Sequence, residues 1–297
     1  MARSIEPIFV WFQPLVLERE GVAGDAFIYH AFQAAFKGVQ ATRPPAPAWA
    51  RRSPTAVGCL ARFRKRRLLV CGRITQYMDP FEYAQILGLF GYVAFPEPRT
   101  SGARGYNIPP GTKPLIIYPD HKMRRVHWGY RPKWAADKGL PQTINARVEK
   151  AATGPYFRAL WKSGRVLLPA NGWYEWTKAD DGKKQPFYIH RRDGNPMFIA
   201  ALTNVRGDEE PIEGAGFVVV TAAADEGLVD VHDRRPLVFE PADALKWLDP
   251  ETSPEAASEL AFHSSAPADV FVWHPVTRAV NPSGPDDPSF IVPIEID

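Results

Sequence analysis

Residues 165–176 read Arg165-Val-Leu-Leu-Pro-Ala-Asn-Gly-Trp-Tyr-Glu-Trp176, an apolar and aromatic run that predicts a β-strand. Similar chemistry recurs on both sides of it, at Pro114–Tyr118, Arg124–Tyr130, Pro186–His190, Met197–Val205 and Phe217–Thr221, with a late strand at Phe271–Pro275. Helices are expected at Asp79–Phe90, with Asp79 as cap and Pro80 at the first position, and at Val148–Trp161, Ala242–Trp247 and Pro254–Phe262. Strands outnumber helices and do not alternate with them regularly. That pattern points to an α+β fold rather than a doubly wound sheet. Neither an internal repeat nor a low-complexity linker follows residue 70, so 71–297 reads as a single domain.

The first 70 residues differ. They hold an apolar stretch at Pro7–Leu17, a second at Phe27–Phe36, a Pro/Ala/Arg run at Ala41–Pro54 and the basic cluster Arg62–Arg67. A secretory signal carries its basic residues before the apolar core, whereas here Glu6 precedes it and the basic cluster follows. Residues 1–70 carry 11 Lys/Arg against 4 Asp/Glu, and the remainder 25 against 29. The excess positive charge therefore belongs to the extension, and a nucleic-acid site in 71–297 has to be a local basic groove. The extension could serve as a basic arm, but its composition sets it outside the working domain.

Bulk properties narrow the class. Apolar residues make up 45% of the 297 and aromatics 12%, enough for a sizeable core. Two cysteines, Cys59 and Cys71, exclude a disulfide-dense scaffold and lack metal-site spacing. Every apolar run is shorter than the roughly 18 to 20 residues of a membrane span. A cytoplasmic protein without membrane attachment is expected.

Residues able to carry chemistry are scattered: Cys71, Glu149, Glu175, His232 and nearby arginines. A G-x-S-x-G elbow, a glycine-rich phosphate loop and a His/Cys metal cluster are all missing from the sequence. The set fits a cysteine nucleophile assisted by an acid/base pair. It fits an ordinary fold equally well, since a lone cysteine is most often a small buried apolar side chain and a His-Asp-Arg run a surface ion-pair cluster.

Seven segments in order change the balance: Cys71-Gly-Arg73, Tyr106-Asn-Ile-Pro-Pro-Gly-Thr112, Trp128-Gly-Tyr130 with Pro132-Lys-Trp134, Asn145-Ala-Arg-Val-Glu149, Arg165–Trp176, Thr221-Ala-Ala-Ala-Asp225 leading to His232-Asp-Arg-Arg-Pro236, and Trp273-His-Pro-Val276 with Val280-Asn281. Together they resemble the motifs of the SOS response-associated peptidase (SRAP) family, and they cover nearly all of 71–297. The resemblance implies a single SRAP-like domain of twisted sheets with a barrel-like core and peripheral helices. It also implies a DNA-damage protein that crosslinks to abasic sites in single-stranded DNA, with thiol-dependent self-processing and abasic-site lyase chemistry. The expected partner is single-stranded DNA carrying abasic sites, bound by a monomer that associates with the nucleoid while on DNA. Neither an organic cofactor nor a metal is implied.

Within that resemblance an N-terminal Cys71 reacts with the aldehyde of a ring-opened abasic sugar. Its α-amine forms a Schiff base and its thiol then closes a thiazolidine. Such ring closure requires a 1,2-aminothiol, which only an N-terminal cysteine offers. Free α-amines titrate near about 7.7–8.0 and thiols near about 8.5, within reach of neutral pH. Glu175 is expected to handle protons at the amine, His232 to protonate the sugar oxygen and serve crosslink reversal, and Asn145 to orient the sugar or amine. Arg73, Arg147 and Arg234 are expected at phosphates, Thr221 on the DNA and Trp134 as a stacking wedge, with Glu149 structural. Ala135 stands where some relatives carry a second aromatic, so stacking there should be weaker.

One departure matters. Cys71 follows Val70, so its nitrogen is an amide in the full chain. Translation from position 70, where valine is what an internal GTG spells, or self-cleavage at Val70–Cys71 would each expose it. The odd composition of 1–70 and its lack of motif matches favour the first. The full chain is expected to be inert toward abasic DNA until Cys71 is exposed. A non-catalytic single-strand binding module is the alternative, and a peptidase acting on other proteins a third reading.

Overall fold

The computed structural model describes residues 71–89, 105–207, 211–224 and 232–296. The extension before Cys71 with its basic cluster, Phe90 at the end of the first expected helix, and Asp225 all lie outside the described residues. The described residues fall within one unit, 66–297. Among them, no helix is long and apolar enough to cross a membrane.

The fold is α+β, as the strand-rich sequence predicts. In chain order the elements are β1 (Ile74–Gln76), α1 (Pro80–Leu87), β2 (Gly105–Ile108), β3 (Leu115–Ile117), β4 (Met123–Arg125), α2 (Lys133–Asp137), β5 (Asn145–Arg147), α3 (Val148–Ala151) and α4 (Arg158–Ser163). They continue with β6 (Arg165–Ala170), β7 (Gly172–Lys178), β8 (Lys184–Arg191), β9 (Met197–Thr203), β10 (Phe217–Ala223), β11 (Arg234–Pro236), β12 (Val238–Phe239), α5 (Pro241–Leu248), α6 (Pro254–His263) and β13 (Phe271–Pro275). Five strands form one sheet in the order β13-β8-β7-β1-β2. The other sheet runs β11-β10-β9-β6-β3-β4, with β12 added to β9 and β5 added to β10. Pairing is antiparallel except between β5 and β10.

Period-2 alternation explains why β6, β9 and β10 are apolar almost throughout. Val166, Leu168, Ile199, Ala201, Phe217 and Val219 point into a core shared with Ile74, Trp173, Ile189 and Phe271 of the smaller sheet. Their neighbours Leu167, Phe198, Ala200, Leu202, Val218 and Val220 point to the opposite face, where Tyr83, Trp161, Trp247 and Leu260 of the helices cover them. The large sheet is therefore buried on both faces, between helices and the second sheet.

The expected strand Arg165–Trp176 is two strands, β6 and β7, in different sheets. The break is Asn171. Its Oδ1 accepts from Tyr77 N (2.9 Å), Met78 N (3.3 Å) and the Tyr83 hydroxyl, and its own N–H donates to Thr75 O at 2.9 Å. Those bonds pin the corner to the β1–α1 junction. The expected helix Val148–Trp161 is likewise interrupted into α3 and α4, because Pro155 lacks an N–H and disfavours helical backbone at Gly154. The strand expected over Arg124–Tyr130 ends at Arg125, and beyond it Trp128 and Tyr130 make only isolated bridges to Phe217 and Thr143. Helix α1 does start as the sequence indicates. Asp79 accepts from Phe81 N and Glu82 returns the contact to Asp79 N, both at 2.9 Å.

Candidate active site

Strand β1 delivers Cys71 to β7. Ile74 pairs with Trp173, and Tyr174 N donates to Arg73 O at 3.0 Å. Trp173 and Glu175 share a face of β7, so Glu175 points the same way as a residue of the inter-sheet core. There its Oε1 accepts from the Cys71 backbone nitrogen at 2.8 Å. Cys71 is fully buried and takes φ +41°, in the left-handed region a non-glycine residue adopts at a cost on the order of 1 kcal/mol. Cys71 is thus conformationally unfavourable, and its nitrogen is placed against a carboxyl group.

Electrostatics make that carboxyl unusual. Burial pushes Glu175 up, the Cys71 N–H pulls it partly back, and the Asp233 charge raises it again, to about 8. The Cys71 thiol is held well above its ordinary value, first by burial and then by Glu175. At neutral pH the pair is a protonated acid beside a protonated thiol. Its proton donor is already at the nitrogen.

Four of the remaining expected residues, Asn145, Arg147, Thr221 and Arg234, meet at β10. Parallel pairing sets Asn145 beside Val219 and Arg147 beside Thr221, and antiparallel pairing sets Arg234 opposite Ala223. Ile144, next to Asn145, lines a cleft of about 520 Å³ together with Gly72, Arg73, Glu175 and Trp176. His232 lies on the approach to β11, its side chain only 8% exposed and its Nδ1 2.9 Å from Asp233 Oδ1. Asp233, which adjoins His232, also acts electrostatically on Glu175.

The four cationic and aromatic candidates are placed in different ways. Arg73 is buried, its Nη1 donating to Asn107 Oδ1, Val280 O (2.9 Å) and Pro282 O (3.4 Å), with the guanidinium 5.5 Å from the Trp176 ring. Arg234 is held by Glu149 through two bonds of 2.9 and 3.0 Å and by Thr221 through Oγ1 and O. Glu149, read from sequence as structural, thus has Arg234 as its partner. Arg147 is exposed. Trp134, 39% exposed, stands on α2 in an aromatic group of its own, edge-on to Tyr156 at 5.4 Å with Lys138 over its ring. Sequence reasoning missed Asp233, Trp176, Lys184 and Asn281 at the site. Trp176 and Asn281 sit inside the motifs quoted above, which would have flagged them, and Asp233 adjoins His232.

Residues 70–283 match the family model described as SOS response associated peptidase. The abasic site processing protein YedK of Escherichia coli K12 is 46% identical over 218 residues, covering 71% of this chain and 94% of YedK. The abasic site processing protein YoqW of Bacillus subtilis is 29% identical over 196 residues, covering 64% and 86%. A solved structure of a phage-related protein from Bordetella bronchiseptica superposes with a TM-score of 0.60 at 38% identity, covering 70% of this chain and 95% of that one. With the motifs, the fold and the match over 70–283 in agreement, the chain belongs to the SOS response associated peptidase (SRAP) family.

Proposed function

We propose that this chain processes abasic sites in single-stranded DNA by forming a covalent crosslink through Cys71 once that residue is the N-terminus. The observation that carries the reading is the 2.8 Å contact between the Cys71 nitrogen and Glu175 Oε1. The α-amine attacks C1′ of the ring-opened sugar. Glu175, protonated at the outset, gives its proton to the aldehyde oxygen, takes the one that the nitrogen sheds and passes it to the departing hydroxyl, so a Schiff base forms and water leaves. The Cys71 Sγ–H then adds across the C=N bond, the sulfur to carbon and the proton to nitrogen, closing a thiazolidine. An elevated thiol fits this order, since the amine reacts first. His232 donates to the sugar ring oxygen during opening. Asn145 orients the sugar, and Arg147, Thr221, Arg234, Arg73 and Trp134 line the path of the strand. Exposure of Cys71 by self-cleavage at Val70–Cys71 belongs to the same proposal, with the unfavourable backbone at Cys71 as its support.

The test is intact mass after incubation with an oligonucleotide bearing one abasic site. A chain beginning at Cys71 should gain the mass of one strand less water. Cys71→Ala should lose the adduct and keep non-covalent binding, and a chain retaining residues 1–70 should remain unmodified. An adduct on Cys71→Ala, or none on the chain beginning at Cys71, would overturn the reading.

A further inference from the structure

The His232 ring lies between a donor and an acceptor. Its Nδ1 is 3.1 Å from the Arg234 backbone nitrogen, which donates to it, and 2.9 Å from Asp233 Oδ1, which can only accept. The two contacts exclude one another in proton terms. A neutral ring whose Nδ1 accepts from Arg234 carries its hydrogen on Nε2. A ring with hydrogen on Nδ1 turns to Asp233 instead. The Asp233 side chain is 73% exposed, so solvent weakens its hold. One determinant of the choice is how firmly the Arg234 backbone is fixed.

Three elements fix it. Glu149, on α3, grips both terminal nitrogens of Arg234 in a fork at 2.9 and 3.0 Å. Thr221, on β10 and fully buried, accepts from Nε at 3.3 Å and, through its carbonyl, from Nη2 at 2.6 Å. Strand pairing between β10 and β11 holds the main chain. Burial acts to raise the Glu149 carboxyl, but the Arg234 hydrogen bonds and the charges of Arg234 and Arg147 outweigh it, so it stays ionised. We infer that Glu149 is a positioning residue for His232: by clamping Arg234 it presents the Arg234 N–H to Nδ1 and holds the neutral ring in the Nε2–H form. The inference deepens the abasic-site reading, on which its functional half rests. Nε2–H is the proton-donating nitrogen that sugar ring opening and crosslink reversal would draw on. Arg234 is thereby committed to the protein, with a smaller share in binding phosphate than an unclamped arginine would have.

The experiment separates the two levels. In the full chain labelled with ¹⁵N-histidine, the His232 ring signals, identified by their loss in His232→Asn, should report the Nε2–H tautomer above the pH at which the ring ionises. Glu149→Gln, which keeps the shape but loses the charged fork, should give a mixture with a substantial Nδ1–H share. Arg234→Lys, which keeps the charge and loses the fork, should do the same, and the thermal midpoint measured alongside shows whether each variant is folded. An unchanged Nε2–H signal in both folded variants overturns the inference whatever happens on DNA. On abasic oligonucleotide, with Cys71 exposed, Glu149→Gln should slow crosslink reversal about tenfold or more while non-covalent binding changes less than threefold. A tautomer shift without a slower reversal would overturn the functional half, whereas wild type failing to crosslink at all would overturn the abasic-site reading and leave the tautomer result standing.

Discussion

Glu175 carries the sharpest prediction at the scale of a single residue. Its carboxyl is raised from an ordinary 4.5 to about 8 in the folded chain, chiefly by burial. Below about pH 4 the folded and unfolded chains both hold this proton, and it contributes nothing to the pH dependence. As pH rises past 4.5 the unfolded chain ionises while the folded one does not, so stability falls steadily until about pH 8 and then levels off. The loss has a ceiling of about 1.4 kcal/mol for each unit of separation. Glu175→Gln removes the titration and keeps an oxygen for the Cys71 N–H. Urea midpoints taken from pH 4 to pH 9 should therefore show the variant gaining on wild type as pH climbs, by on the order of a few kcal/mol at the top. A gap that stays constant with pH would mean Glu175 is ionised in the fold. The same variant should crosslink on the order of 10²- to 10⁴-fold more slowly, since glutamine cannot exchange a proton. The identity of this residue was legible in the sequence through its motif. Its elevated pKa was not, because it depends on β1 and the His232 segment packing around it from about 100 and 60 residues away in sequence.

Among the elements, the corner between β6 and β7 decides whether the site forms at all. Asn171 Oδ1 accepts two backbone N–H groups and a tyrosine hydroxyl, and the next residue, Gly172, has no room for a Cβ: one built there would lie within 2.4 Å of Tyr188 ring atoms. Asn171→Ala takes this acceptor from the Tyr77 N–H and the Tyr83 hydroxyl, while Met78 N keeps the Tyr83 oxygen at 3.4 Å, so the loss is about 2–6 kcal/mol at roughly 1–3 kcal/mol per orphaned group. It also loosens the turn that swings Glu175 into the smaller sheet, so both the urea midpoint and the crosslinking rate should drop. A drop in stability with an unaltered rate in the remaining folded protein would show that β7 holds Glu175 without the corner. By contrast, Asp79→Ala removes the cap of α1, far in sequence from Glu175, and should cost about 1 kcal/mol with no change in rate. The contrast also explains what could be read ahead of the structure. The cap, its proline and the apolar strands depend on residues within a few positions and were legible. The break at Asn171 was hidden inside an unbroken apolar run, because its cause is a set of partners on β1 and α1. Short strands such as β1, β5 and β11 were hidden too, since three residues carry no periodicity and pair only because β7 and β10 are there to receive them.

For the molecule as a whole the question is how much of its grip on DNA is electrostatic. Counterion release ties the salt dependence of binding to the number of phosphates neutralised, at a slope of about −0.7 per phosphate for single strands. Residues 71–297 carry 25 Lys/Arg against 29 Asp/Glu, so no long-range attraction helps. The local candidates are few as well. Arg73 donates into Asn107 and two backbone carbonyls, and Arg234 is forked on Glu149, which leaves Arg147 and the cleft's Lys184 as the cations most available to a backbone phosphate. Two or three contacts give a slope of about −1.4 to −2.1. Fluorescence anisotropy of an oligonucleotide carrying a non-reactive abasic analogue, titrated with the chain beginning at Cys71 between 50 and 500 mM salt, should return that value. A slope of about −3 or steeper would mean that Arg73 and Arg234 release their internal partners to take phosphates, and that the clamp described for Arg234 opens on DNA. A shallow slope leaves stacking and the proposed covalent bond to provide the hold, which suits the crosslinking reading: under it, weak, salt-tolerant sampling of single strands lets the protein leave undamaged DNA, and only an aldehyde at Cys71 makes it stay.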